Sequence, residues 1–381
     1  MTPVALITYS TKPRGGVVHT LALAEALHAL GQPVRVIALG GPGRGFFRPV
    51  EAPVTIVPGP SGELSLEDKV AGSIGALEDV LLDAGEPVLH AQDCIGARAA
   101  ARVRDAGAPV QVVRTVHHVD DFSSTVLMDC QRAAILEPDV VLAVSQVWRR
   151  QLLDDYGVAA GVVPNGVDVA RFAAPDRSRA AQLRASVGAV GRPLLLSIGG
   201  VEPRKGSDAL VRALSRLARR QGPRPVLAVV GGHSFQDHRA YRDAVLSELP
   251  SLGLELGVDV VLVGTVPEAD IAAWYAAADV LAFPSVKEGF GLAVLEAMSA
   301  GLPVVTSDLP VFHEWLVADR DALLVPVGDV EALADALSRA CTDADLRRSL
   351  VAAGRAVADR FTWAASAERH LQVYAGLGVP V

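Results

Sequence analysis

Residues 285–301 read Ser-Val-Lys-Glu-Gly-Phe-Gly-Leu-Ala-Val-Leu-Glu-Ala-Met-Ser-Ala-Gly, and this stretch decides the fold. The apolar run Asp279-Val-Leu-Ala-Phe-Pro284 leads into it, Gly289 and Gly291 mark a turn, and Leu292, Leu295 and Met298 then recur at helical spacing. The order is strand, glycine turn, helix N-terminus. Such a turn leaves backbone N–H groups unpaired at the positive end of the helix dipole, where a phosphate is stabilised. Glu288 stands on the rim of the turn, and Glu296 stands one turn into an otherwise apolar helix, where a carboxylate is costly unless donors reach it. Sugar and ribose hydroxyls would be suitable donors. The structural alternative pairs Glu296 with an arginine or a backbone group and leaves Glu288 exposed; spacing alone favours it.

Outward from this stretch, short β-branched runs alternate with amphipathic helical stretches along the whole chain, which implies parallel sheets covered by helices on both faces. Strands are expected at 4–9, 34–39, 54–57, 88–91, 110–116 and 140–144, with helices at 17–30, 64–84, 95–106, 124–137 and 146–156. In the second half the strands fall at 194–198, 226–230, 260–263, 280–283, 304–306 and 323–325. The halves are alike, and Pro164 and Gly166 interrupt the pattern between them. We therefore expect one α/β domain over 1–166 and a second over 167–362, facing across a cleft where ligands bind, followed by a helical segment within 363–381.

At 381 residues the chain is long enough for two cores, and half of it is hydrophobic. Its 35 basic and 43 acidic residues leave a net charge of −8, which argues against a nucleic-acid partner recruited by bulk attraction. Cys94, Cys130 and Cys341 lack metal-ligand spacing and read as small hydrophobes. The N-terminus shows no basic region followed by an apolar core, and no run of about 18 apolar residues occurs, so a cytoplasmic protein is expected. Arg98, Arg102 and Arg104 are the sole hint of a basic face for peripheral membrane contact, and such faces are more often simply solvated.

Several loops carry chemistry. Gly15-Gly16 follows the first strand and opens a helix, allowing close approach of a diphosphate or sugar; a tight turn is an equal alternative. The loop lacks the G-x-G-x-x-G spacing of a dinucleotide site, and the later Gly41-Pro-Gly43-Arg-Gly45 has the wrong spacing, so an oxidoreductase has little support. His117 emerges with His118 at the carboxyl end of a buried strand and could donate to a sugar hydroxyl or to leaving-group charge, or be satisfied internally. Arg204 and Lys205 sit in a strand-to-helix turn where they could neutralise a diphosphate; an exposed basic turn is the alternative. Gly231, Gly232 and Val266 lie at two further strand ends.

Glu288-Gly-Phe-Gly-Leu-Ala-Val-Leu-Glu296 closely resembles the Glu, seven residues, Glu signature of retaining glycosyltransferases of the GT-B fold, in the large family four. The order of the other motifs agrees: the Gly15-Gly16 loop, Thr115-Val-His117, Asn165-Gly-Val-Asp168, Lys205-Gly206 and the strand-end glycines each resemble a family segment. The resemblance implies two Rossmann-like domains and a final helix, near 361–374, crossing back onto the first. It implies an enzyme moving a sugar from a nucleotide diphosphate donor to an acceptor hydroxyl that the motifs do not specify, with no cofactor and no metal. Glu288 would then hold the donor sugar, Glu296 the ribose, and the backbone of Phe290, Gly291 and Leu292 the diphosphate with Lys205 and Arg204. His117 would lie beside the donor sugar, and Gly15, Gly16, Gly231, Gly232 and Val266 would line the ligand. One departure stands out: the usual family Arg position is Gly200, so whether Arg204 replaces that charge is open. A sugar phosphorylase, a nucleotide-sugar epimerase or a non-catalytic binding module on the same fold are the competing functions. Asp319-Arg-Asp321 and Asp343-Ala-Asp345 have acidic spacing but fall in expected surface segments, so neither is assigned a cation.

Overall fold

A computed structural model describes residues 1–41, 43, 45–232 and 238–377. Pro42 and Arg44, inside the glycine-rich stretch 41–45, lie outside the described residues. The chain divides into two compact units, Met1–Gly166 with Trp363–Val381 and Val167–Thr362.

The first unit runs β1 (Val4–Thr8), α1 (Gly15–Ala29), β2 (Val34–Gly40), β3 (Val54–Pro58), α2 (Leu66–Leu82), β4 (Val88–Ala91) and α3 (Cys94–Asp105). It continues through β5 (Gln111–Val116), α4 (Thr125–Leu136), β6 (Val140–Ala143), α5 (Gln146–Tyr156) and β7 (Gly161–Val162). The second unit begins with α6 (Val169–Ala173), α7 (Arg177–Ser186), β8 (Leu194–Ile198), α8 (Ser207–Ala218), β9 (Val226–Val230), α9 (Arg239–Ser247) and β10 (Val260–Gly264). There follow α10 (Ile271–Ala277), β11 (Val280–Phe283), α11 (Leu292–Ala300), β12 (Val304–Ser307), β13 (Leu323–Val325), α12 (Val330–Thr342) and α13 (Ala344–Ala358). A last helix, α14 (Trp363–Ala375), belongs to the first unit and packs on α1.

Every strand pairs in parallel, so each inner strand is covered on both faces and its sequence is continuously apolar rather than alternating. β1 (Val-Ala-Leu-Ile-Thr) and β9 (Val-Leu-Ala-Val-Val) are buried at every position, whereas the edge strands β3 and β10 keep exposed residues. The first sheet has the order β3-β2-β1-β4-β5-β6-β7 and the second β10-β9-β8-β11-β12-β13. In each, three strands are laid down outward in one direction and the fourth is added on the other side of the first. That leaves a topological switch point between β1 and β4 and another between β8 and β11, the places where loops diverge and ligands of such sheets bind.

The expected strands occur within a residue or so of their predicted ends because their apolar runs are bounded by Pro, Gly and charged residues. Two differences have local causes. The polar stretch after Asp168, read as a boundary, folds into α6 and α7 because Asp168 and Asp176 cap them, accepting from the N–H groups of Arg171 and Arg179. The two-residue strand β7 is too short to leave a periodic signal.

Candidate functional site

In the second unit the loop after β8 and the loop after β11 meet at the switch point. Glu288 Oε1 accepts from Lys205 Nζ at 2.7 Å, Arg204 Nη1 at 3.1 Å and Ser285 Oγ at 2.9 Å. Its side chain is only 9% exposed. Burial alone would push this carboxyl up, but the Lys205 and Arg204 charges and the hydrogen bonds outweigh it and hold the group at about 2. Glu288 is thus ionised and an acceptor only. Lys205 is pulled below its ordinary value by burial, with Glu288 opposing, and its Nζ lies 4.3 Å from the centroid of the Phe283 ring. The expectation that Arg204 and Lys205 belong to a phosphate site and Glu288 to the sugar therefore meets one cluster, not two.

Gly200 cannot simply regain a side chain: a Cβ there would stand 2.6 Å from the Gly232 carbonyl oxygen and 3.1 Å from Glu202 Oε1. Gly231 follows β9, and its N–H donates to Gly264 O, while Gly199 donates to Val230 O. The ends of β8, β9 and β10, with Gly200, Gly231, Gly232 and half-buried Val266, therefore form one edge beside the cation pair.

The helix N-terminus expected from residues 285–301 is present. Gly291 precedes α11 at φ +96°, with no side-chain cap, and a Cβ on it would meet Phe312 at 2.5 Å. Phe290 is buried and stacks on Trp315 at 5.3 Å, which holds the backbone of 290–292 in place. One turn on, Glu296 Oε2 accepts from the Tyr275 hydroxyl at 2.6 Å. Burial raises Glu296 to about 7, opposed by the Tyr275 hydrogen bond and the Arg171 charge. Its partner is therefore neither the arginine nor the backbone group of the structural alternative.

In the first unit, Gly15 and Gly16 form the first turn of α1 and have ordinary helical backbone, so the tight-turn alternative does not hold. A Cβ on Gly15 would meet nothing within 4 Å, and one on Gly16 would touch His117 Cδ2 at 3.6 Å. His117 Nε2 pairs with Gln92 Oε1 at 3.1 Å, and burial, joined by neighbouring histidines and Arg114, holds the ring well below its ordinary value, hence neutral. Gln92 follows β4 at the β1/β4 switch, and among the described residues its buried amide nitrogen has no hydrogen-bond partner. His118 instead pairs with Asp120 at 3.1 Å.

Other candidates are engaged structurally. Asp321 accepts from Val317 N–H and Arg320, and Asp343 caps α13 through Leu346 N–H. Arg98, Arg102 and Arg104 each pair with a carboxylate, from Glu137, Glu78 and Asp105 with Asp139, so the basic face is neutralised. Among the described residues, no helix is long and apolar enough to cross a membrane. All three cysteines are free.

Two family models match this chain: Glycosyltransferase Family 4 over residues 13–171 and Glycosyl transferases group 1 over residues 179–357. The phosphatidyl-myo-inositol mannosyltransferase of Mycobacterium leprae is 31% identical over 375 residues, covering 96% of this chain and 94% of its own length. The chain belongs to the group 1 glycosyl transferases. The D-inositol 3-phosphate glycosyltransferase of Nocardia farcinica is 30% identical over 294 residues, 76% of this chain, and the chain spans 61% of that relative's length. Anabaena HepE, solved in complex with UDP-glucose, superposes with a TM-score of 0.82 at 20% identity, covering 99% of this chain and 100% of its own. At that identity the likeness is one of fold: GT-B, built from two Rossmann-like domains.

Within this group 1 glycosyl transferase, sequence reasoning missed Tyr275, Ser285 and Gln92. Tyr275 sits among alanines in an apolar helix and reads as core. Ser285 and Gln92 precede the features that draw notice, and their roles depend on partners 3 and 25 residues away. His19, His90 and His370, all fully buried beside His117 or one another, were likewise not singled out.

Proposed function

We propose that the protein is a retaining, metal-independent glycosyltransferase that moves a sugar from a nucleotide diphosphate donor to an acceptor hydroxyl. The observation that carries the reading is the Lys205–Arg204–Glu288 cluster at the β8/β11 switch, beside the uncapped α11 N-terminus and one helical turn from Glu296. The two cations and the N–H groups of Gly291 and Leu292 supply positive charge for the diphosphate, the task a metal would otherwise perform. Glu288, kept ionised, accepts from donor sugar hydroxyls; Glu296 accepts from the ribose. Neutral His117, its one N–H directed from Nε2 to Gln92 Oε1, keeps Nδ1 as an acceptor for a donor sugar hydroxyl. No side chain here is assigned as a nucleophile, so catalysis is positioning and electrostatics.

The relatives bear on the acceptor. One is named for phosphatidyl-myo-inositol and another for D-inositol 3-phosphate, and an inositol-bearing hydroxyl compound is the first acceptor class to test. The experiment is a thermal-shift screen of nucleotide sugars, in which a donor at about 100 times its dissociation constant stabilises the fold by roughly 2.7 kcal/mol. The donor that shifts the melt is then carried into transfer assays with inositol acceptors, with and without chelator. Transfer with retained anomeric configuration that survives chelation is expected. Transfer lost in chelator and restored by magnesium or manganese would overturn the metal-independent assignment, and phosphorolysis or donor isomerisation without transfer would replace the reaction.

A further inference from the structure

We propose that Tyr275 is a positioning residue for nucleotide binding, its hydroxyl fixing the Glu296 carboxylate through Oε2 so that Oε1 is presented to the ribose diol. The proposal rests on the reading of Glu296 as the ribose acceptor and adds what makes that carboxylate competent. Tyr275 is 1% exposed, and its hydroxyl donates to Glu296 Oε2 at 2.6 Å, the length of a charge-assisted bond. Its ring meets Phe172 of α6 edge-on, with centroids 5.4 Å apart at 84°, and α6 packs against both α10 and α11. The hydroxyl is therefore held from behind and cannot swing away. Among the described residues, no other hydrogen bond reaches the Glu296 carboxylate.

The other charges near Glu296 act at longer range. From α6 comes Arg171, already paired with Glu268 at 2.6 Å, and Glu268 itself precedes α10. From α13 Arg355 approaches α11 at Gly301, the far end of the helix, while β11 and β12 bring no titratable side chain. A ribose hydroxyl donates more strongly to an ionised carboxylate than to a protonated carboxyl. Burial raises Glu296 to about 7, so near neutrality its state depends on the one donor in contact. Loss of that donor moves the titration higher, and ribose affinity, which is strongest for the ionised form, then weakens as pH falls through the new value.

Calorimetry of UDP and GDP with wild type, Tyr275→Phe and Glu296→Gln across pH tests this. The isosteric phenylalanine keeps the packing, and a melting curve checks that it folds. Tyr275→Phe should bind about tenfold more weakly near neutrality, a loss of about 1.4 kcal/mol, and recover to within about twofold near pH 9. Glu296→Gln should be weak at every pH without recovery. The ligand's own phosphate titration is common to all three proteins and cancels in the ratios. Carboxyl 13C NMR of the ligand-free proteins should place the Glu296 titration higher in Tyr275→Phe. An unshifted titration, or a loss of affinity equal at every pH, would overturn the positioning role and leave Tyr275 a packing residue. Wild-type affinity in Glu296→Gln would instead remove the ribose reading beneath it.

Discussion

Glu288 and Glu296 are both carboxylates on the same turn and helix, yet their surroundings drive them apart. Glu288 faces Lys205 and Arg204 and is held at about 2; Glu296 faces a neutral phenol and rises to about 7. A group ionised throughout the working range suits a fixed acceptor for sugar hydroxyls. Glu288→Gln should lower transfer by about 100-fold or more, because misplacing the reacting sugar by an ångström costs that much. Binding of the bare nucleoside diphosphate should be unchanged or tighter, since the substitution removes an anion that competes with phosphate for Lys205 and Arg204. Steady-state transfer rates beside calorimetric affinity separate the two effects. Loss of bare nucleotide binding with unchanged turnover would mean that the two glutamates hold the opposite ends of the donor.

At the level of elements, the loops after β8 and β11 depend on left-handed backbone that glycine adopts without strain. Gly206 lies between the short helical turn Pro203–Lys205 and α8 at φ +64°, and a Cβ there would stand 2.1 Å from the Pro284 carbonyl oxygen. The same close approach brings Lys205 to Glu288 and lets Val286 N–H donate to Arg204 O. Gly206→Ala should therefore cost about 1–3 kcal/mol for the left-handed backbone alone, and more for the contact with Pro284. It should also weaken nucleoside diphosphate binding although residue 206 offers no group to the ligand. A melting temperature and affinity equal to wild type would show that the β8–α8 turn tolerates a side chain.

On the scale of the whole chain, histidines from distant points gather inside the first unit. His19 of α1 pairs with Asn165, His90 of β4 bridges Tyr374 and Thr115, and His370 of α14 bonds to Ser366 O. Burial lowers His19 to about 3 and His370 to about 4, and puts His90 and His117 well below their ordinary value. The folded form thus stays neutral where the unfolded chain takes up protons. The stability tied to this neutrality is complete above about pH 6.5 and is lost progressively below it, at up to about 1.4 kcal/mol per pH unit for each histidine. Urea titrations should show the first unit weakening steeply as the pH is lowered from about 7 toward 5, with α14 among the elements affected. A midpoint independent of pH over that window would contradict the neutral, buried assignment.

The sequence by itself determined the architecture, because each strand and helix writes its own period: apolar runs such as 194–198 and 280–283, flanked by Pro and Gly, can be read without knowing what they pack against. It also drew notice to Glu288, Glu296, Lys205, Gly291 and His117 as glycine turns and polar groups in apolar surroundings, although spacing alone favours a structural reading of the two glutamates and the family resemblance is what makes them site candidates. The tertiary structure alone decided their partners. The bond of Lys205 to Glu288 spans 83 residues and that of His90 to Tyr374 spans 284, and nothing periodic links positions so far apart. Gly200 shows the same divide, for its missing cation is visible in the sequence, but the Gly232 carbonyl that would block its return is brought there by sheet order. Tyr275 reads as one more apolar position of a short helix until α10 is laid beside α11. Local patterns encode the elements because hydrogen bonding and side-chain periodicity act between near neighbours; the ionisation of a buried group depends on whichever neighbours packing supplies.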